Sequence, residues 1–115
     1  MASAFKNAGM TVSNQDNSSA NLYSAPSGAQ AVIHALYISN KSATNYGNVD
    51  VKITTDGGST FYHVAKSVQI EPENTLILDK PLNLESGDVL RVIGELNADS
   101  SQPEIEAYAA ILEVT

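Results

Sequence analysis

The chain has 115 residues, 43% of them hydrophobic, and six basic and thirteen acidic side chains give it a net charge of -7. That length predicts one domain with its own core, and the absence of cysteine excludes disulfides, thiolate catalysis and thiolate metal sites. The negative charge disfavours nucleic acid and anionic membranes as partners, because both would repel the protein. No apolar run approaches the roughly 20 residues that span a bilayer, and the first residues lack the apolar stretch of a signal peptide. We therefore expect a protein made and retained in a cytoplasm.

The first twenty residues are small and polar. Residues 4–12 would form either an edge strand or an arm that reaches a neighbouring subunit, and residues 14–21 have the composition of a loop. Asn21–Ser24 is a short strand candidate. We accordingly divide the chain into an N-terminal arm or edge strand, residues 1–20, and a β-sandwich domain, residues 21–115.

The middle of the chain predicts a central strand followed by a hairpin. Residues 31–39 are the most apolar segment and lack clean alternation, which favours a central strand covered on both faces. Residues 48–55 alternate between apolar and polar side chains, as in a strand with one buried face. The Asp-Gly-Gly sequence at 56–58 is a strong hairpin-turn signal, and residues 60–66 form the returning strand.

The C-terminal half continues the pattern of short strands and turns. Residues 75–78 form a short strand, and Gly87 lies where a tight turn before the strand at 89–93 needs a positive φ. Residues 104–114 form a long last strand with two apolar faces, which would be central in a sheet or covered by a partner. Seven or eight strands with frequent turn signals predict an all-β fold, a single small antiparallel β-sandwich of jelly-roll type with an N-terminal arm.

The residues that could bind a metal do not form a recognisable motif. A zinc site needs three or four protein ligands, so His34 and His63 would require a carboxylate as well; we expect His34 to be partly buried and hydrogen-bonded and His63 to face solvent. Seven acidic residues carry oxygen ligands suited to Ca²⁺ but lack the spacing of a calcium-binding loop, and acids beside turns bond turn amides; these are Asp50, Asp56, Glu71, Glu73, Asp79, Glu85 and Asp88. We expect no metal and no cofactor.

The sequence also lacks the patterns of common catalytic sites. Paired carboxylates suit a glycosidase, but the chain has no tryptophan, no Gly-x-Ser-x-Gly and no phosphate-binding glycine loop. We therefore predict that it is not an enzyme and name no catalytic residue. If Tyr46, Phe61 and Tyr62 cluster at one end of the sandwich, they would make a carbohydrate-binding platform; otherwise Phe61 belongs to the core and the tyrosines are scattered rim residues.

Six segments follow one another in a characteristic order along nearly the whole chain. They are residues 1–7, residues 22–28 with 31–40, residues 49–54, residues 61–66 with 68–72, residues 82–92 and residues 110–114. In that order and spacing they resemble a family of small structural proteins of tailed bacteriophages, particularly marine ones.

The resemblance implies a virion component without catalytic activity, assembled in the cytoplasm of the bacterial host. Such proteins are capsid decoration (cement) subunits, with the major capsid protein as partner, or parts of the neck, the tail or a fibre attachment, with neck or tail proteins as partners. A homo-oligomer, with a trimer favoured, is the usual route to such an assembly. The expected interface residues are Phe5, Lys6, Met10 and Val12 in the arm, and Tyr108, Leu112 and Val114 in the last strand. A carbohydrate-binding β-sandwich is the alternative from another class.

Overall fold

The structure is a computed structural model that describes residues 3–56 and 59–115, so Gly57 and Gly58 of the predicted hairpin turn lie outside the described residues. Nine strands make up most of the described residues, one or two more than the seven or eight that the sequence predicted. They are β1 (Ser3–Val12), β2 (Asn21–Ser24), β3 (Gln30–Asn40), β4 (Gly47–Thr54), β5 (Phe61–Ile70), β6 (Thr75–Leu78), β7 (Leu82–Leu84), β8 (Val89–Gly94) and β9 (Ile105–Val114). The described residues include one turn of 3-10 helix, Ser18–Ala20, and no helix among them has the length and apolar character needed to cross a membrane.

The strands form two antiparallel sheets packed face to face. Sheet I has the order β1-β9-β3-β6, with β7 also paired to β3, and sheet II has the order β2-β8-β4-β5. All pairings between these strands are antiparallel. The prediction of a small all-β sandwich is confirmed.

The core lies between the two sheets and is built from inward-facing aliphatic side chains. Sheet I contributes inward residues of β3, β7 and β9, and sheet II contributes inward residues of β4 and β8; the large, fully buried aliphatic side chains of these strands are Ile33, Leu36, Ile38, Val49, Val51, Leu84, Leu90, Val92, Ile105 and Ile111. At one side of the core, the Tyr23 hydroxyl of sheet II donates a hydrogen bond of 2.5 Å to Glu113 of sheet I. Burial and this bond raise the pKa of Tyr23, so the phenol stays protonated and holds the sheets together.

Strand β3 is central, but the prediction that both of its faces are covered is wrong. Between the pairs Ile33–Ile111 and Ala35–Ala110, β3 contains one residue more than β9, which is His34. This β-bulge reverses the alternation: the buried residues are odd-numbered before it and even-numbered after it. The sequence of β3 lacks regular alternation because the inward positions change from odd-numbered to even-numbered residues at His34. The outer face of β3 remains partly exposed.

Asn40 closes the end of β3 with a buried hydrogen-bond network. Its side-chain amide donates to the carbonyl oxygens of Asn45, at 2.8 Å, and Ile70, at 3.1 Å, and its oxygen accepts from the amide of Ser42, at 3.0 Å. The residue is buried, so these three bonds satisfy groups that water does not reach. They fix the loop between β3 and β4 against the end of β5.

Candidate interaction surface

The outer side of sheet I carries two rows of apolar side chains, separated by the row in which Asn7 lies beside Ala110. In the antiparallel register Gly9, Tyr108, Tyr37 and Ile77 lie side by side in one row. A second row places Phe5 beside Leu112 and Val32. We call the band formed by both rows the outer apolar face; its members are Phe5, Val32, Tyr37, Ile77, Tyr108 and Leu112.

Four of the eight large hydrophobic side chains that are exposed among the described residues lie on the outer apolar face. Phe5 is 84% exposed, Ile77 53%, Tyr108 46% and Tyr37 40%. Single exposed apolar residues are ordinary on a protein surface, but a contiguous group of them marks an interaction site. The face is therefore suited to bind another protein surface.

The charge of the outer apolar face differs from that of the whole chain. At the outward positions of the described strands of sheet I, the only carboxylate is Glu106, which lies at one end and pairs with Lys41 at 3.5 Å. The chain as a whole carries a net charge of -7. Burying this face against a partner would therefore desolvate few charges, which keeps the cost of association low.

A groove of about 400 Å³ interrupts the face beside β1. Tyr37 and Tyr108 form its walls, and Gly9 forms part of its floor. A β-carbon at Gly9 would lie 3.6 Å from Cδ2 of Tyr108, an ordinary van der Waals distance. The backbone at Gly9 thus leaves open a space that a side chain from outside can enter.

The predicted contact residues divide into two groups in the structure. Phe5 lies directly opposite Leu112, and Ser3 lies opposite Val114, so the N-terminal strand and the last strand share one surface with Tyr108. The outward side chains of Tyr37 and Ile77 were missed, since β3 was expected to be covered. No sequence pattern marks these two positions, because their outward direction depends on the bulge at His34 and on the pairing of β3 with β6.

The other predicted contacts face the opposite side of β1. Val12 is only 1% exposed and belongs to the core, so it is not available as a surface contact. Met10 is partly buried and packs against the core. Lys6 is exposed, but it pairs with Ile111, an inward-facing residue, and so lies on the other side of the strand from Phe5.

The outer side of sheet II is occupied by its own chain. Asp16 accepts hydrogen bonds from Lys52 at 2.5 Å and from Arg91 at 3.1 Å. The Arg91 guanidinium also lies 4.1 Å from the centre of the Phe61 ring, a cation–π distance. The hydrogen bond from Lys52 is the main cause that lowers the pKa of Asp16. These contacts hold the loop after β1 across sheet II, so the two outer faces of the sandwich differ in character.

The predicted aromatic platform is not formed. Tyr46 precedes the start of β4, where Gly47 pairs with Ile70, whereas Tyr62 pairs with Ile53 near the other end of that strand. Six strand residues separate these positions, about 20 Å at the usual rise. Phe61 is partly exposed beneath Arg91, so the expectation that it belongs to the core is also wrong.

The two histidines lie on different sheets. His34 is the extra residue of the β3 bulge and is exposed, so the prediction that it is partly buried is wrong; His63 on β5 faces solvent as predicted. Nε2 of His63 lies 4.0 Å from Oδ2 of Asp50. Within residues 3–56 and 59–115, no three His, Cys, Asp or Glu side chains are grouped to hold a metal ion.

Several acidic residues bond turn amides, as the sequence predicted. Asp56 accepts from the amides of Ser59 and Thr60, which lowers its pKa. Oδ2 of Asp88 accepts from the amide of Glu85 at 3.0 Å, across the turn in which Gly87 has the predicted positive φ, 85°. These carboxylates stabilise local backbone.

No family model matches the chain, and no curated protein matches it.

Proposed function

We propose that this protein is a non-enzymatic structural component of a tailed-phage virion, and specifically a capsid decoration protein that attaches through the outer apolar face of sheet I. The observation that carries the proposal is the row of exposed apolar residues in which Tyr108, Tyr37 and Ile77 lie side by side. The resemblance to phage structural proteins supplies the class of particle. The all-β sandwich, with its adhesive surface on a rigid sheet, supports a role in assembly.

The dimensions of the face suit a protein–protein interface. The three long strands β1, β9 and β3 are about 33 Å long, and with the short strands β6 and β7 beside β3 the sheet is about 14–19 Å wide. The resulting area of roughly 450–600 Å², increased by side-chain relief, approaches the roughly 800 Å² that each partner contributes to a stable interface. Each copy would bridge neighbouring shell subunits and raise the free energy needed to separate them.

The charge distribution supports the same role. An acidic protein with one apolar face is repelled by the packaged genome and by other polyanions, and adheres only through that face. Asp56 and Asp88, which bond turn amides, adjoin β4 and β8 of sheet II and do not belong to the strands that carry the face.

The copy number of the protein in purified particles tests the proposal. Quantitative mass spectrometry against the major capsid protein is expected to give a ratio near one or one third, as for a subunit on the shell lattice. A ratio of about one in fifty or lower would assign the protein to the neck or tail, and its absence from particles would refute the virion role.

A matched pair of tyrosine variants tests the surface itself. Tyr37→Ser removes a side chain from the outer apolar face, whereas Tyr62→Ser removes an exposed side chain from the edge strand of sheet II. Because a central interface tyrosine contributes about 1–2 kcal/mol or more, Tyr37→Ser is expected to weaken binding to particles lacking the protein by roughly tenfold. Equal losses for the two variants would count against the outer apolar face as the binding surface.

A further inference from the structure

The edges of the two sheets are not equally protected against pairing with another strand. In sheet II, β2 has four residues, and β5 is interrupted by two register shifts and by Ser67 with a φ of 50°. At the far edge of sheet I, β6 and β7 have four and three residues, separated by a segment that contains Lys80 and Pro81. Short strands, bulges, lysines and prolines are the usual means by which proteins block edge-to-edge association.

Strand β1 has none of these protections apart from one lysine. It is ten residues long, contains no proline, and pairs with β9 from Ser3 to Val12 without a register shift. Its only charged residue is Lys6. None of the described strands pairs with its other side, so a regular row of backbone donors and acceptors faces outward, ready for a further strand.

The side chains of β1 select the strand that fits. When two copies of β1 pair antiparallel about a two-fold axis, the outer faces of the two sheets lie on the same side. An outward residue of one copy therefore lies opposite an outward residue of the other. With the axis at Asn7, Phe5 of each copy lies opposite the partner's Gly9. With the axis at Ala8, the polar side chain of Asn7 rather than Phe5 would lie opposite the partner's Gly9, and Phe5 would meet the side chain of Thr11, which also lines the groove.

With the axis at Asn7, the most exposed apolar side chain of the outer apolar face, Phe5, lies at the open groove of the partner copy. Phe5 is 84% exposed, and the groove over Gly9 is walled by the rings of Tyr37 and Tyr108. An aromatic side chain placed across from a strand glycine covers that glycine and packs on its neighbours. The two-fold axis makes this contact twice.

We propose that β1 pairs antiparallel with β1 of a second copy of this chain, about a two-fold axis at Asn7, with each Phe5 seated in the groove over the partner's Gly9. Residues 3–11 of the two strands overlap, which forms about nine inter-strand hydrogen bonds. The two copies of sheet I become one continuous sheet, and their outer apolar faces become one surface. This two-fold contact replaces the expected trimer, and it does not rest on the proposed virion role.

Cysteine cross-linking of the purified full chain tests the register, and the chain has no cysteine of its own to interfere. In Asn7→Cys, the two Cα atoms across the axis would lie about 4.5–5.5 Å apart, a distance that a disulfide spans. In the matched control Thr11→Cys, on the same strand and face, the two sites would lie roughly 27 Å apart. Mild oxidation is expected to yield covalent dimer from Asn7→Cys only. No dimer from Asn7→Cys, or equal dimer from both variants, overturns the proposal.

Sedimentation equilibrium of the unmodified chain and of contact variants tests the association. The chain is expected to sediment as a dimer, and both Phe5→Ser and Gly9→Val are expected to raise the dimer dissociation constant at least tenfold. The structure leaves room for a side chain at Gly9, and circular dichroism checks that each variant is folded. Ile77→Ser, at the far side of the same face, is the control and should leave the dimer unchanged.

A monomer or a trimer at all accessible concentrations, or equal weakening by Ile77→Ser, overturns the two-fold contact. Failure of the particle copy-number test would remove the virion role and leave this contact in place. The two proposals therefore fail separately.

Discussion

Deleting His34 from β3 is expected to leave the fold intact, whereas deleting Tyr37 from the same strand is expected to destabilise it strongly. Without His34, Ile33 and Ala35 become consecutive opposite Ile111 and Ala110, which are already consecutive in β9. The bulge disappears and every buried residue of β3 keeps its partner. The cost should resemble that of a surface change, about 0.5 kcal/mol.

Deleting Tyr37 removes the bulge at the expense of the core. If Ile38 keeps its pairing, Leu36 moves to the outward position opposite Tyr108, and Ala35 takes the buried position opposite Ala109. Leu36 is fully buried, so the exchange amounts to a leucine-to-alanine replacement in the core, which costs about 2–5 kcal/mol. For a domain of this size the melting temperature would fall by roughly 8–20 °C.

Equilibrium unfolding in urea, at one fixed protein concentration, measures both deletions on the same scale. The fixed concentration is needed because self-association would add to the apparent stability. If the deletion of His34 costs as much as the deletion of Tyr37, the bulge does not set the inward and outward order of β3, and the explanation of its irregular sequence is refuted.

Two further predictions concern polar groups. Asn40→Ala is expected to lower the free energy of unfolding by about 2–4 kcal/mol, because it leaves the buried carbonyl oxygen of Ile70 without the side-chain amide; thermal unfolding measures this, and a loss below about 0.5 kcal/mol would contradict it. Asp16→Asn is expected to cost less than about 1 kcal/mol at neutral pH, since the carboxylate is half exposed and screened by solvent. Because the pKa of Asp16 is lowered from 3.8 in the folded protein, its contribution is present at neutral pH and is lost as the pH falls through the folded pKa. The stabilities of variant and parent should therefore converge in acid, below the folded pKa of Asp16, and a difference that persists once this carboxyl is protonated would count against the ion pairs.

Local patterns in the sequence predicted much of the fold. The strands at Asn21–Ser24 and Thr75–Leu78 have the predicted bounds, and Gly87 has the predicted positive φ. The long last strand was also predicted, but its two apolar faces did not indicate which one would be inward. Turn chemistry and period-two alternation are properties of neighbouring residues, so a single sequence contains them.

The outer apolar face could not be predicted in the same way. Its rows join residues of β1, β9, β3 and β6, and which of them lie side by side depends on the register between strands that are distant in the chain. The bulge at His34 has no distinct residue pattern, and it decides that Tyr37 faces outward. The positions of Tyr46 and Tyr62 also depend on how strands pair. Tyr46 precedes the start of β4, whereas Tyr62 lies opposite Ile53 near the end of β4, so the two rings lie at opposite ends of the hairpin.

The position of β9 also determines when sheet I can form during synthesis. β9 lies between β1 and β3, and it is the only described strand that pairs with β1. Among the described strands the ribosome makes β1 first and β9 last, so β1 stays without its partner for most of the roughly 6–23 s that translation of these 115 residues takes. Apart from Phe5, Met10 and Val12, β1 consists of small, polar or charged residues. Such a composition gives the unpaired strand little apolar surface for non-specific hydrophobic contact with other nascent chains before its own sheet closes.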